Sequence, residues 1–204
     1  MAYFRCGGGG AAEAELDGII DRNITSISND RVTSIGGYSF YNCTNLVSAD
    51  FPNAISIGTY SFYNCSLLAS VDFPKATSIG SYAFQQCRRL ESVVFPEVAS
   101  ISSSAFYSCS VLARVDFPKS ENVSNNCFAN CSNLNVLILR KTDTICTLSN
   151  INAFTGTPFA SSGTGGTLYV PQALIASYQA ASNWSTILGY SNNQIKAIEG
   201  SIYE

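Results

Sequence analysis

Residues 57 to 78 read I-G-T-Y-S-F-Y-N-C-S-L-L-A-S-V-D-F-P-K-A-T-S, and the same pattern returns every 22 residues through the middle of the chain. Cys43, Cys65, Cys87, Cys109 and Cys131 hold one position of it. Phe40, Phe62, Phe84, Phe106 and Phe128 hold a second, and Leu46, Leu68, Leu90, Leu112 and Leu134 a third. Ile35, Ile57, Ile79 and Ile101 continue as Val123, and Phe-Pro recurs at 51–52, 73–74, 95–96 and 117–118. Register kept at this many positions without an insertion decides the fold before any local pattern does, because it marks a stack of identical units.

Within one unit, Leu68, Val71 and Phe73 have the L-x-x-L-x-L spacing of a leucine-rich strand. Val71 and Phe73 share a face by the two-residue period of a strand, so Asp72 between them points out. Proline then ends the strand, since it has no N–H for a ladder. The stretch I-G-x-Y-A-F-x-x-C-x-x-L returns the chain to the next strand. Its inward residues are Ile, a small Ser or Ala, Phe, Cys and Leu, and the small one (Ala83, Ala105) leaves room for the neighbouring Phe. One coil cannot bury its apolar face alone, but coils stacked about 4.8 Å apart can. The expected fold is a leucine-rich repeat solenoid: mostly β, a right-handed stack of 22-residue coils with a parallel sheet.

Outward from the repeats, residues 1–22 read as a flexible N-terminal segment, 23–142 as the repeats and 143–204 as a small α/β capping unit. Ile24 and Ile27 fit the repeat frame, and Asn29 stands where Phe recurs, as in a starting cap. After Lys141 the register fails. Ile145 and Ala153-Phe154 match the Ile and Ala-Phe positions with four extra residues between. Gly163 to Thr167 reads as a flexible loop, Leu168 to Val170 as a strand ending at Pro171, and Gln172 to Ala181 as a short helix with Leu174 and Tyr178 on one face. Trp184, Ile187, Ile195 and Ile198 finish the core.

Charged residues make up only 12% of the chain against 46% hydrophobic, which supports a packed core. The net charge of −3 leaves no basic patch for nucleic acid. No apolar run reaches the ~18 residues of a membrane span. The start, MAYFRCGGGGAAEAELDG, lacks the apolar stretch of a secretory signal. Ordinary export is therefore not expected if Met1 is the native start, which leaves a phage particle or the cytoplasm, and an extracellular or cell-surface location is expected if the sequence has been trimmed. Histidine is absent, which removes Ser–His–Asp and Cys–His pairs and every His-containing metal site. Gly7 to Gly10 follows no strand and precedes no Lys-Ser, so it is not a phosphate loop.

The unit I-G-S-Y-A-F-Q-Q-C-R-R-L-E-S-V-V-F-P at 79–96 resembles the BspA-like class of bacterial leucine-rich repeats. The tail N-A-F-T-G-T-P, then L-Y-V-P-Q-A-L-I-A-S-Y-Q-A-A-S-N-W-S, resembles the C-terminal unit that often follows such repeats in gut-bacterial and phage-associated proteins. The resemblance covers roughly residues 24 to 198. It implies no enzyme activity, no cofactor and no particular ligand, and a role in surface attachment or protein contact.

Five of the eight cysteines share one repeat position, and stacked side chains stay about one strand spacing apart. That exceeds the Cβ separation of a disulfide, and a straight row cannot surround a tetrahedral zinc. Buried small hydrophobes are the expected role, with Cys127 in the same role and Cys6 the reactive exception. No metal site is expected, and a cation between Asp50 and Asp72 would have one carboxylate per coil, a poor calcium cage. The Asn-Cys-Thr and Asn-Cys-Ser triplets at Asn42, Asn64 and Asn130 match a glycosylation sequon but follow from the repeat itself.

The outward strand positions form the candidate surface, because the inward rows are nearly constant while these vary. One row is Asp50, Asp72, Val94, Asp116, Ile138; beside it run Ser48, Ser70, Ser92, Arg114, Val136. After the proline come Asn53, Lys75, Glu97, Lys119 and Lys141. Ligand contacts are expected on Ser48, Asp50, Ser70, Asp72, Lys75, Val94, Glu97, Arg114, Asp116 and Lys119, centred on Asp72, Val94, Arg114 and Asp116. Two tyrosine rows, Tyr38, Tyr60, Tyr82 and Tyr41, Tyr63, Tyr107, are the rival surface or a cover over the core. The expected function is a non-enzymatic binding or adhesion module for a protein or glycan. A structural or receptor-contacting component of a phage tail is the alternative.

Overall fold

The computed structural model describes residues 14–16, 22–190 and 193–204. The chain winds into a solenoid in which each coil gives two short parallel strands, not one. The Leu-x-x-Val-x-Phe stretch supplies the expected ladder. It comprises Ser26–Ser28, Ser48–Asp50 and Ser70–Asp72, then Ser92–Val94, Arg114–Asp116 and Val136–Ile138. The return stretch supplies a second ladder at its Ser-Ile pairs, which the sequence reading did not assign to strand. This ladder runs unbroken through seven strands, Ala14–Leu16, Val32–Ile35, Ser56–Ile57, Ser78–Ile79, Ser100–Ile101, Asn122–Val123 and Thr147–Leu148. Ala14–Leu16, within the segment expected to be flexible, pairs with Val32–Ile35. Cys6 lies outside the described residues.

The inward rows pack as the repeat requires. The Phe40, Phe62, Phe84, Phe106, Phe128 row is fully buried, and so are the Cys and Leu rows. The rings stack nearly parallel, 4.7 Å apart at Phe40–Phe62, 5.2 Å at Phe62–Phe84 and 5.7 Å at Phe106–Phe128. Glycine accounts for the tight end. A Cβ on Gly58 would lie 2.7 Å from the Gly36 backbone, and one on Gly80 2.6 Å from Thr59 N. The same repeat position is Ser102 and Ser124 in the later coils, where the rings stand further apart.

Buried cysteines do more than fill space. Cys65 Sγ donates to Phe40 O at 3.1 Å, Cys87 to Phe62 O at 3.3 Å, Cys109 to Phe84 O at 3.0 Å and Cys131 to Phe106 O at 3.0 Å. Each thiol therefore ties its coil to the backbone of the one before. Two residues per coil take left-handed backbone: Tyr38, Tyr60, Tyr82, Ser104 and Asn126 at one bend, and Asn42, Asn64, Gln86, Ser108 and Asn130 at the next. Asn tolerates that conformation better than most residues. This gives the Asn-Cys triplets a structural reason.

The strand ladder of the Leu-x-x-Val-x-Phe stretch is interrupted once. Ser26–Ser28, Ser48–Asp50 and Ser70–Asp72 form a three-stranded sheet, and Ser92–Val94 begins a separate five-stranded one. The second Phe row opens at the same place: 5.7 Å at Phe51–Phe73, 6.3 Å at Phe73–Phe95, 5.8 Å at Phe95–Phe117. Val71, just before the break, is only partly buried, whereas Ala49, Val93 and Val115 are fully buried.

The C-terminal unit continues both the stack and the sheet. Val123 pairs with Leu148, so Leu148 and not Ile145 takes the Ile position. Ile145 packs against the core from its margin. Ala153 and Phe154 hold the expected places, with Phe128 N donating to Ala153 O at 2.9 Å and the Phe128 and Phe154 rings 5.8 Å apart. Thr167–Val170 and Gln194–Ala197 extend the five-stranded sheet in parallel. The expected helix becomes a short 3-10 turn at Gln172–Leu174 and α1, Ile175–Ala180, and a further helix follows, α2, Ser182–Leu188. One backbone unit locks them on: Cys146 N donates to Tyr178 Oη at 2.8 Å, and Trp184 Nε1 donates to Cys146 O at 2.7 Å. The segment Gly163 to Thr167, expected to be a flexible loop, has hydrogen-bonded amides at Gly163, Gly165, Gly166 and Thr167. Gly163 N donates to Ala160 O, Gly165 N to Pro158 O and Gly166 N to Asn193 Oδ1, and Thr167 opens a strand.

Candidate functional surface

The strand face is built by the three-residue strands, which alternate out, in, out and so turn their first and third side chains away from the core. Its two ends are occupied by the protein's own contacts. At the N-terminal end Ser28 Oγ donates to Asp50 Oδ2 at 2.9 Å, and Ser48 beside it is half-buried. In the row after the proline, coil-to-coil pairs tie Lys75 to Asn53 at 2.7 Å, Lys119 to Glu97, and Lys141 to Glu121 at 3.1 Å.

Toward the C-terminal end the face is not solvated as expected. Asp116 is 3% exposed and Ile138 is fully buried. Asp116 accepts from Arg114 Nη2 at 3.0 Å and from Arg140 Nε and Nη2 at 3.0 and 2.9 Å. Hydrogen bonding to Asp116 pushes the Arg140 guanidinium up from its ordinary value, against the opposing effect of burial. The Arg114 guanidinium carbon lies 5.0 Å from the centre of the Tyr203 ring, and Tyr203 meets Tyr169 edge-on at 4.9 Å. The C-terminal residues thus fold over this end, and Asp116 is buried beneath two partly exposed arginines instead of standing in the open row.

Between the two ends lies an open centre. Ser70 and Asp72 are exposed, Ser92 is exposed, and Val94 is 48% exposed. Among the described residues no ion pair or side-chain hydrogen bond engages Asp72. The open centre coincides with the break between Ser70–Asp72 and Ser92–Val94, so strand edges with unpaired backbone groups face each other there. Of the expected contact residues, the structure brings Ser70, Asp72, Val94 and Arg114 onto one accessible stretch. Ser48, Asp50, Lys75, Glu97 and Lys119 flank it, and Asp116 lies beneath it.

The tyrosine rows interleave. Tyr38, Tyr60 and Tyr82 stack at 5.0 and 4.6 Å, Tyr41 and Tyr63 at 4.8 Å, and edge contacts at 5.6 to 6.4 Å join the rows. Tyr107 stands apart, its hydroxyl accepting from Asn130 Nδ2 at 3.0 Å. Burial and the neighbouring phenols Tyr82, Tyr38, Tyr63 and Tyr41 raise the pKa of Tyr60 above its ordinary value. Among the described residues, no group of His, Cys, Asp and Glu side chains is placed to hold a metal, and no disulfide joins the cysteines. The capping unit has a hollow of about 330 Å³ lined by Gln179, Ser185, Leu188, Gly189, Asn193 and Ile195, without a charged group. No described helix is long and apolar enough to cross a membrane.

The family model for the BspA type leucine rich repeat region matches residues 21–159 in six copies. Solved structures agree on the fold. A leucine-rich repeat protein from Bacteroides ovatus is 24% identical, with a TM-score of 0.57 over 73% of this chain and 45% of its own. The pneumococcal vaccine antigen PcpA is 16% identical, with a TM-score of 0.66 over 85% of this chain and 41% of its own. A leucine-rich cell surface protein from Faecalibacterium prausnitzii is 22% identical, with a TM-score of 0.58 over 90% of this chain and 49% of its own. The chain thus spans under half the length of these three. Among curated protein sequences, none matches it.

Proposed function

Because the chain belongs to the BspA-type leucine-rich repeat family, we propose that it is a non-enzymatic binding or adhesion module. Its partner is a protein or glycan, met at the open centre of the strand face. One observation carries this reading: the stretch where the sheet is interrupted is also where the outward residues lack partners of their own. Val94 is an exposed apolar side chain among Ser70, Asp72, Ser92 and Arg114, an arrangement like a small interface core inside a polar rim. Asp116 serves this surface from below by holding Arg114 in place. The similarity to a cell surface protein and to a vaccine antigen supports a location at the bacterial surface.

The reading is tested by screening the protein against glycan and protein arrays beside a Asp72→Lys, Val94→Glu double variant. Surface changes of this kind usually alter folding by no more than about 0.5 kcal/mol. A hit that disappears with the double variant is the expected result. Hits that are indifferent to it would place the working surface elsewhere.

A further inference from the structure

Three of the five interleaved tyrosines carry a cost that the fold does not require. Tyr38, Tyr60 and Tyr82 sit at φ of 61°, 57° and 60°, left-handed backbone that is an outlier for a bulky residue. The same bend is made by Ser104 and Asn126 in the later coils. Tyrosine at this bend is therefore not needed to turn the chain. Nor is it needed to seal the core: Tyr38 is 50% exposed, and Phe106 and Phe128 are fully buried in the coils that carry Ser104 and Asn126 at the same bend.

We propose that this array is a second docking surface, and that its occupant is an extended proline-rich segment of a partner protein in the polyproline II conformation. The ring geometry supports this. Aromatic carbons prefer separations of about 3.5–4.0 Å, yet the rings repeat every 4.6 to 5.0 Å with planes within 17° of parallel. They must lean like shingles, which leaves part of each face open as well as its hydroxyl. Gly58 and Gly80, which let the coils approach, underlie the tight repeat.

Spacing and hydrogen-bond chemistry fit the same occupant. A polyproline II turn of three residues advances about 9.3 Å. Two coil steps of about 4.8 Å advance almost the same distance, so Tyr38 and Tyr82 meet equivalent positions of successive turns. Polyproline II has no internal hydrogen bonds, and proline has no N–H, so such a segment offers carbonyl oxygens alone. The array answers with donors: none of the five phenol hydroxyls hydrogen-bonds to another described residue. The Asn64 amide, by contrast, is engaged with Asn42 at 3.0 Å. No charged residue occurs in 36–45 or 58–67, the stretches that carry Tyr38, Tyr41, Tyr60 and Tyr63, which suits a neutral segment. Aromatic-lined grooves are a recurring way of holding proline-rich peptides.

This inference does not rest on the strand-face reading, and its test separates the two. Decaproline, a Gly-Ser peptide of equal length and a neutral oligosaccharide are titrated into the isotope-labelled protein and followed by NMR. The Tyr60→Asn variant removes the central ring while keeping a residue that Asn126 shows the bend accepts. Decaproline is expected to shift the resonances of Tyr38, Tyr60 and Tyr82 and to bind about ten-fold more weakly to Tyr60→Asn. The Val94→Glu variant is expected to bind it unchanged. Absence of binding at millimolar decaproline overturns the proposal, as does binding indifferent to Tyr60→Asn or equalled by the Gly-Ser peptide. Binding of the oligosaccharide in place of decaproline overturns it too, and assigns the array to glycan.

Discussion

Two aspartates of one repeat row have different fates. Asp72 stands in the open, while Asp116 is covered and clamped by Arg114 and Arg140. Replacing Asp72 by Asn is expected to change stability by no more than about 0.5 kcal/mol. Asp116→Asn weakens several charge-assisted hydrogen bonds around a buried oxygen pair and is expected to cost about 1–3 kcal/mol, since both arginines keep some contact with water. Urea titration of the two variants gives the comparison, and equal losses would contradict the assigned environments. Phe84→Ala is expected to cost about 3–5 kcal/mol, because it removes a stacked buried ring and leaves a cavity. The Phe, Cys and Leu rows were readable in the sequence because packing repeats every coil. Asp116 was not, because it is held by Arg114 and Arg140, and Arg114 in turn meets Tyr203 from the far end of the chain, contacts that carry no repeat signature.

The cysteine row is more than a file of small hydrophobes. Burial raises the thiols of Cys65, Cys87, Cys127 and Cys131, and pushes Cys146 up to about 12. A thiol whose folded pKa lies above its unfolded value of about 8.5 stabilises the fold fully below that value, and the contribution is lost as pH rises past it. The urea midpoint is therefore expected to fall steadily between about pH 8.5 and pH 10.5. A flat midpoint over that range would contradict the buried row. In a Cys6→Ser variant, a thiol reagent is expected to react only as fast as the protein unfolds. The Ser-Ile ladder, by contrast, was missed because two-residue strands are too short to show the alternation that marks a strand. The shift of the Ile position to Leu148 was missed because Ile145 offers the expected residue type 22 residues after Val123, while the extra residues of this coil begin before the strand.

At the scale of the whole molecule, one packing rule runs from Val32 to the capping helices, and the buried rows form one continuous core. Neighbouring coils share both ladders except at the break before Ser92–Val94, which divides the strand face without dividing the Ser-Ile ladder. The solenoid and its cap were readable from periodicity; the break was not, since Val71 and Val93 are both apolar and nothing local distinguishes them. The break gives the strand-face claim its most direct test, amide hydrogen exchange with and without the partner found on the array. In the free protein, amides of Ser70–Asp72 and Ser92–Val94 are expected to exchange faster than those of Arg114–Asp116, which are paired on both sides. With the partner bound, protection is expected to appear at Ser70–Asp72 and Ser92–Val94. Protection confined to α1 and α2, with those two strands unchanged, would contradict the account.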